Sequence, residues 1–399
     1  MSDALSAATL VSPPRVYLDN GATSWPKPPE VYAAVDRYLR QNGAPAGRGV
    51  YREALDSAAM VTRTRRKLAQ LFNSTEPQRF VFTLNGTDSL NLALHGLLDH
   101  AESPTHVVTT AVEHNSVLRP LRSLEQRGTI EVTRVACDAK GLVSVAEIKR
   151  AMRPQTRLVV LNQASNVTGT IQPAAEALEI AHAQGALLLV DAAQTAGELP
   201  WSEYGPLPDL LAAPGHKGLL GPLGTGLLYV SAAAESQLAA TRQGGTGTHS
   251  ESEEQPTSLP EKYEAGNLNL PGIAGLEAGL DWLAAQGEQT LRTQALQLTE
   301  RLLEGLRSIE AVTIWGPTTA AERVGLVSVT VQGYDPQELA TLLDSAYGVQ
   351  ARGGLHCAPL VHRSLGTLAA GGTLRFSLGP FNTAEHVDQA VQALRELAS

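Results

Sequence analysis

Cysteine is scarce in this chain: 399 residues hold two, Cys137 and Cys357. Neither has a CxxC partner, so the sequence indicates neither a structural metal site nor a disulfide framework, and a reduced compartment fits. No uninterrupted apolar run is long enough to cross a bilayer, and the opening "MSDALSAATLVSPPRV" lacks a basic stretch followed by an apolar one. The expectation is a cytoplasmic protein with no membrane partner. Basic residues are also outnumbered, with 31 Lys and Arg against 40 Asp and Glu, for a net charge of -9. Nucleic-acid binding rests on phosphate neutralisation by Lys and Arg, so a nucleic acid is not the expected partner. A small metabolite or a protein is. What remains, 43% hydrophobic and 18% charged, is an ordinary globular composition able to bury a large core in one large domain or two.

From about residue 79 short apolar runs alternate with amphipathic stretches: "RFVFTL" (79–84), "HVVTTA" (106–111), "IEVTRV" (130–135), "RLVVLN" (157–162) and "ALLLVD" (186–191). Unbroken runs of this length predict strands buried on both faces of a mainly parallel sheet, hence an α/β core. "GTGLLYV" (224–230) follows a Gly/Pro-rich turn and is expected along an edge or in the opposite direction. Residues 243–260, "QGGTGTHSESEEQPTSLP", read as a long irregular loop, of the kind that is usually functional or mobile. A helical segment around 272–310 leads into a second unit, where "VGLVSVTV" (324–331) alternates as a half-exposed strand does. In "NTAEHVDQAVQALREL" the Asn382-x-x-Glu385 pattern predicts a helix start, and Val387, Val391, Leu394 and Leu397 share one face.

The most specific stretch is "APGHKGLLGPLGTGLLYV", in which Lys217 follows Gly-His in a tight turn. A lone surface lysine is ordinarily a solvated charge, but a pocket that lowers its pKa lets the neutral amine form a Schiff base. Pyridoxal phosphate enzymes need such a lysine and an acidic partner for the pyridinium nitrogen. Asp191 closes the run "ALLLVD". It either caps the next helix or is that partner, since ligands of open α/β sheets bind beside the carboxyl ends of strands. Gln194 could reach the phenolic oxygen of the same ring. "FTLNGTDSLNLAL" reads as strand, Asn85-Gly86-Thr87, helix. That is an ordinary N-cap, or a phosphate site in which Gly86 admits the backbone and Thr87 adds a hydroxyl. His114, in "VEHNSVL", is a packed or solvated histidine or one that stacks on the pyridine face.

Taken in order, "YLDNGATSWPKP", "NGTDSLN", "EHNS", "NQASNVTGT", "VDAAQ", "GHK", "YEAGNLNLPG", "RGGLHCAP" and "LRFSLGPFNT" span nearly the whole chain. This set resembles the class V aminotransferase family of fold-type I pyridoxal phosphate enzymes, and within it the cysteine desulfurases and selenocysteine lyases. "RGGLHCAP" is similar to the group II form, whose reactive cysteine sits on a short ordered loop. The resemblance implies a large cofactor-binding domain over 27–270, its mainly parallel sheet flanked by helices, and a smaller α+β domain made of 1–26 and 271–399. It also implies pyridoxal 5'-phosphate as cofactor and a homodimer with active sites near the interface, flanked or crossed by the loop 243–260. Lys217 would be the Schiff-base lysine, Asp191 the pyridinium partner, Gln194 and Asn166 neighbours of the phenolic oxygen, and His114 the stacking residue. Thr87, His216 and the Gly86 backbone would hold the phosphate. Arg375 would hold the substrate carboxylate in a two-pronged contact; Arg352 is a second candidate there, or a surface salt bridge. Two departures stand out: Pro214 replaces a Ser or Thr before Gly-His-Lys, and Asn267 replaces the threonine of Glu-Ala-Gly-Thr that usually reaches the partner subunit's phosphate. Gly21 stands where alanine is usual.

The mechanism so implied takes sulfur from L-cysteine, or from L-selenocysteine its selenium, and leaves alanine and a persulfide on Cys357 for a sulfur-acceptor protein. A free thiol titrates near about 8.5, so His356, Arg352 and His114 are candidates to favour the thiolate. Free cysteines are also often small buried groups, the reading that fits Cys137. Rival readings are a C–S lyase or a transaminase on the same scaffold, or a non-catalytic binding protein. The acidic "SESEEQP" is a solvated segment or a contact for the acceptor protein.

Overall fold

The apolar runs assemble side by side into one sheet whose strands are covered on both faces, except the edge strand at 130–135, where Glu131 is exposed. The computed structural model describes residues 15–399 apart from 48, 100–104, 204 and 249–250, so the opening segment up to residue 14 lies outside the described residues. In chain order the first elements are β1 (Val16–Tyr17), α1 (Pro29–Arg37), α2 (Arg52–Leu71), β2 (Phe80–Thr83), α3 (Gly86–Leu98), β3 (Thr105–Thr110), α4 (Asn115–Gln126) and β4 (Ile130–Val135). Then come α5 (Val145–Ala151), β5 (Thr156–Asn162), α6 (Ala174–Ala183), β6 (Leu187–Asp191), β7 (Leu210–Pro214), β8 (Gly226–Val230), α7 (Ala232–Glu235), α8 (Leu270–Gln286) and α9 (Glu288–Arg307). The last are β9 (Val312–Trp315), β10 (Leu326–Val331), α10 (Pro336–Tyr347), β11 (Val349–Gln350), β12 (Arg352–Gly354), α11 (Pro359–Leu365), β13 (Thr373–Ser377) and α12 (Ala384–Leu397).

The large sheet has the order β2-β8-β7-β6-β5-β3-β4. From β7 to β4 neighbouring strands are parallel, and β8 runs against both β7 and β2. "GTGLLYV" thus does reverse direction, in the interior of the sheet rather than at its edge. Apolar clusters fill both faces of this sheet. Leu270, Ile273, Leu276, Leu280 and Leu283 of α8 belong to the first cluster, so α8 packs on the large sheet's side of the molecule. The positive φ of Gly287 (81°) then separates α8 from α9.

The second sheet is antiparallel, in the order β12-β13-β10-β9, with α9 and α12 covering one face. The amino-terminal segment lies alongside it: β1 pairs with β11 in a separate two-stranded sheet, and Ser377 of β13 donates its N–H to the carbonyl of Leu18 at 2.7 Å. Two expectations change here. β10 is buried on both faces rather than half-exposed, because the segment 164–170 lies over its polar side and accepts a hydrogen bond from Ser328 Oγ to Val167 O at 2.5 Å. The cap of α12 is Thr383, paired with His386 in a reciprocal capping box, while Asn382 turns inward to accept from Gly379 N–H at 2.7 Å. Among the described residues no helix is long and apolar enough to cross a membrane.

Candidate active site

Strands β5, β6 and β7 end beside the starts of α3 and α4, and a cavity of about 500 Å³ opens there. Asp191, Gln194, His216 and Lys217 line one part of its wall; Gly86, Thr87, His114 and Asn166 line the rest. Eight residues spread over 132 positions of sequence therefore meet in one space. Helix α3 presents its first turn to the cavity, with Asn85 capping Asp88 N–H at 2.9 Å and leaving the amides of Gly86 and Thr87 free of that cap. Pro214 packs over this turn: a Cβ on Gly86 would stand 3.2 Å from its Cδ, a contact tight enough to press on the proline ring.

Lys217 sits on a turn held from below by residues 23–27. The carbonyl of His216 accepts from Ser24 N–H (3.0 Å), Thr23 Oγ1 (3.0 Å) and Lys27 Nζ (2.8 Å), and Ser24 Oγ donates to the carbonyl of Lys217 at 2.8 Å. None of these supports was visible in the motif "YLDNGATSWPKP". Burial pushes the Lys217 ammonium down to about 8, helped by Arg375 and Arg352 and opposed by Asp191 and Glu198. Burial raises the Asp191 carboxyl, while the Ala193 N–H on its Oδ1 at 3.0 Å and the Lys217 charge hold it back. Burial likewise lowers His216 to about 4, so its ring is neutral.

His114 is neutral too, lowered to about 4 by burial first and by Lys217 next. Its Nδ1 accepts the N–H of Ser116 at 3.1 Å, which leaves the ring proton on Nε2. Beneath it lies Glu113, a fully buried residue that the sequence reading passed over. Its Oε1 accepts from Thr110 Oγ1 (2.6 Å) and Asn162 N–H (3.0 Å), and burial raises its carboxyl to about 8.

Arg375 is buried on β13, its guanidinium donating to Asp19 Oδ1 at 2.7 Å and to the carbonyl of Asn166 at 3.1 Å. Its Nε is buried without a partner. Asp19, 356 positions earlier, was not anticipated. Arg352 pairs in register with Arg375 across β12 and β13 and is exposed. Its turn continues into His356 and Cys357, whose φ of 50° and 58° are both left-handed, and Ala358 N–H closes the turn on the carbonyl of Leu355 at 2.9 Å. Two such central residues make a type I′ turn, a geometry that costs a non-glycine residue roughly 1–2 kcal/mol. Three contacts hold it. Asn166 Nδ2 donates to the carbonyl of His356 at 2.6 Å, Asn115 N–H to that of Cys357 at 2.7 Å, and His356 Nε2 to that of Thr373 at 3.0 Å. Gly353 is required just before, since a Cβ there would lie 2.1 Å from the carbonyl oxygen of Pro336.

The side chain of Cys357 is exposed on this turn, whereas Cys137 is half-buried and its thiol raised by burial. His356 corrects the expectation of a cationic neighbour for the thiol. Burial drives its pKa down to about 2, and with its single proton bonded to Thr373 it anchors the turn as a neutral ring. Asn267 is not brought to the cavity; it is exposed and lines a separate hollow with Arg242 and Glu264.

The family profile described as Aminotransferase class-V matches residues 16–390 of this chain. A curated relative from Methanothermobacter thermautotrophicus, named a probable cysteine desulfurase, is 34% identical over 96% of this chain and 94% of its own length. Cysteine desulfurase CsdA of Escherichia coli is 32% identical over 95% of this chain and 93% of its own. Of solved structures, the apo cysteine desulfurase of Thermococcus onnurineus NA1 superposes with a TM-score of 0.89 at 31% identity, covering 96% of this chain and 94% of that one. The S-sulfonic acid form of Escherichia coli CsdA gives 0.85 at 29% identity, covering 96% of each.

Proposed function

The chain belongs to the class V aminotransferase family, and from that premise we propose that it is a pyridoxal phosphate-dependent cysteine desulfurase, taking sulfur from L-cysteine and leaving L-alanine. The observation that carries this reading is a buried lysine of lowered pKa in one cavity with Asp191, beside a turn that bears an exposed cysteine and is tied by its backbone to Asn115 and Asn166.

The residues fit the cofactor. Asn166 Oδ1 and His216 Nδ1 are buried without partners, and Asp191 carries a carboxyl whose burial an adjacent cation would relieve. When bound, pyridoxal phosphate supplies an electron sink for the carbanion next to the substrate's amino group. The chain's residues do the rest. Asp191 keeps the ring nitrogen protonated. Gln194 and Asn166 would hold the phenolic oxygen, and His114 would stack on the ring. The Gly86 and Thr87 amides, the Thr87 hydroxyl and His216 hold the phosphate. Arg375 orients the substrate carboxylate with Asp19 fixing its fork, and Arg352 adds positive charge further out. Lys217, a neutral amine above about pH 8 before the cofactor arrives, removes the α-proton. The Cys357 thiolate then attacks the substrate sulfur: the S–S bond forms, the Cβ–S bond breaks, and Cβ takes a proton to complete alanine. The persulfide passes to an acceptor protein or is reduced to sulfide.

We further read the chain as a cytoplasmic homodimer, in which exposed Asn267 and the loop 243–260 serve the neighbouring copy's phosphate site. We read 27–270 as the large domain and 1–26 with 271–399 as the small one, with α8 of the latter packing back on the large sheet's side. Incubation with L-cysteine, L-selenocysteine and L-cystine, with products identified, tests the function. Alanine and sulfide from L-cysteine, abolished in Cys357→Ala, are expected. Pyruvate and ammonia would make it a C–S lyase, preference for L-selenocysteine a selenocysteine lyase, and a need for a keto acid a transaminase.

A further inference from the structure

Thr87, Ser116 and His114 form a hydrogen-bonded chain that runs from the start of α3 to the ring of His114. Ser116 Oγ stands 2.7 Å from Thr87 Oγ1 and 2.8 Å from His114 Nδ1. Since the Ser116 N–H also points at Nδ1, that nitrogen is a bare lone pair. The Ser116 hydroxyl therefore donates to Nδ1, and its oxygen accepts the proton of Thr87. Both hydroxyl protons are now committed, and Thr87 has only lone pairs to offer.

The phosphate of a monoester such as pyridoxal phosphate is mostly a proton-free dianion at neutral pH and only accepts from a threonine hydroxyl, so it needs the Thr87 proton. Once Thr87 turns its proton to an anion, its contact with Ser116 survives only if Ser116 becomes the donor, which withdraws the Ser116 proton from His114. We propose that Ser116 is a positioning residue that couples occupation of the phosphate end of the cavity to His114, by reversing this relay when an anion binds. The inference rests on Thr87 as a phosphate ligand. Its consequence is chemical. Nδ1 is the atom that takes the second proton when the ring becomes imidazolium, so freeing it of one donor makes the ring easier to protonate. The charged groups facing the ring are Lys217 after β7, Arg352 on β12, Arg375 on β13 and Arg119 on its own helix, all cationic and all opposing protonation. The relay thus reserves the more basic imidazole for the loaded site. Ser116 is buried, and nothing in the motif "EHNS" marks it apart from an ordinary first-turn serine.

The test uses full-length protein with ¹⁵N-labelled histidine and follows the His114 ring nitrogens through a pH titration. Protein loaded with pyridoxal, which lacks the phosphate, is compared before and after addition of inorganic phosphate. An upward shift of roughly half to one pH unit is expected, the worth of one neutral hydrogen bond. Ser116→Ala should bind phosphate yet lose the shift, and Ser116→Thr should regain it. A His114 titration indifferent to phosphate, or a shift in Ser116→Ala equal to the wild type's, overturns the relay alone. Undiminished phosphate affinity in Thr87→Val overturns it together with its premise.

Discussion

Lys217 and Cys357 both stand on tight turns, and the two turns are held in opposite ways. The lysine turn is propped from beneath by Thr23, Ser24 and Lys27, and its amine is buried, which costs the charged form and leaves a reactive neutral amine near pH 8. The cysteine turn is gripped only through its backbone carbonyls and the buried ring of His356, so the thiol itself stays exposed. In the proposed reaction one nucleophile must shed water to work, and the other must hand sulfur to something outside. The same chain therefore hides the first and displays the second, while fixing both backbones.

Removing either feature should separate the two roles. Lys217→Ala has the largest expected effect: alanine formation falls by on the order of 10³-fold or more, and the cofactor's bound absorbance is lost. Asn166→Ala frees the cysteine turn. A displacement of about 1 Å costs about 10²-fold, so alanine formation should drop by that order while cofactor absorbance at saturation persists. Ser24→Ala loosens the lysine turn instead and should slow cofactor capture more than sulfur transfer, by about tenfold for one lost support. The capture rate in wild type should rise with pH and level off above about 8, as Lys217 loses its proton. That group also makes a stability contribution. Its pKa is lower folded than unfolded, so the unfolded chain binds more protons between about 8 and 10.5, and stability from Lys217 rises with pH across that window. Glu113 has the reverse sign. Raised from 4.5 to about 8, it contributes stability below 4.5 that is lost as pH rises through 8. Glu113→Gln keeps the shape and removes that loss, so above pH 8 the variant should melt higher than wild type, the smallest of these effects.

Periodicity made six strands of the large sheet legible, since runs such as "ALLLVD" are apolar enough to stand out unaided. It missed β7, because "LLAAP" is short, rich in alanine and ends in proline, which reads as loop. It misjudged β10, because alternation cannot tell water from a second layer of protein: the segment 164–170 covers what looked like the wet side. At the site, Lys217, Asp191, Gln194 and His114 were legible as chemistry at strand ends. Asp19, Ser116 and Lys27 were not, because each acts by contact across a fold that local sequence does not describe. His356 is the clearest case. A histidine beside a thiol suggests a cation, and only its burial against Thr373 makes it a neutral anchor.

Peptide mass mapping after a single turnover reads the central step directly. Full-length protein loaded with cofactor is given one equivalent of L-cysteine and digested without reductant. One added sulfur on the peptide bearing Cys357, with alanine in equal amount, is the expected result. Alanine formed while Cys357 stays unmodified, or sulfur found on Cys137 instead, contradicts it.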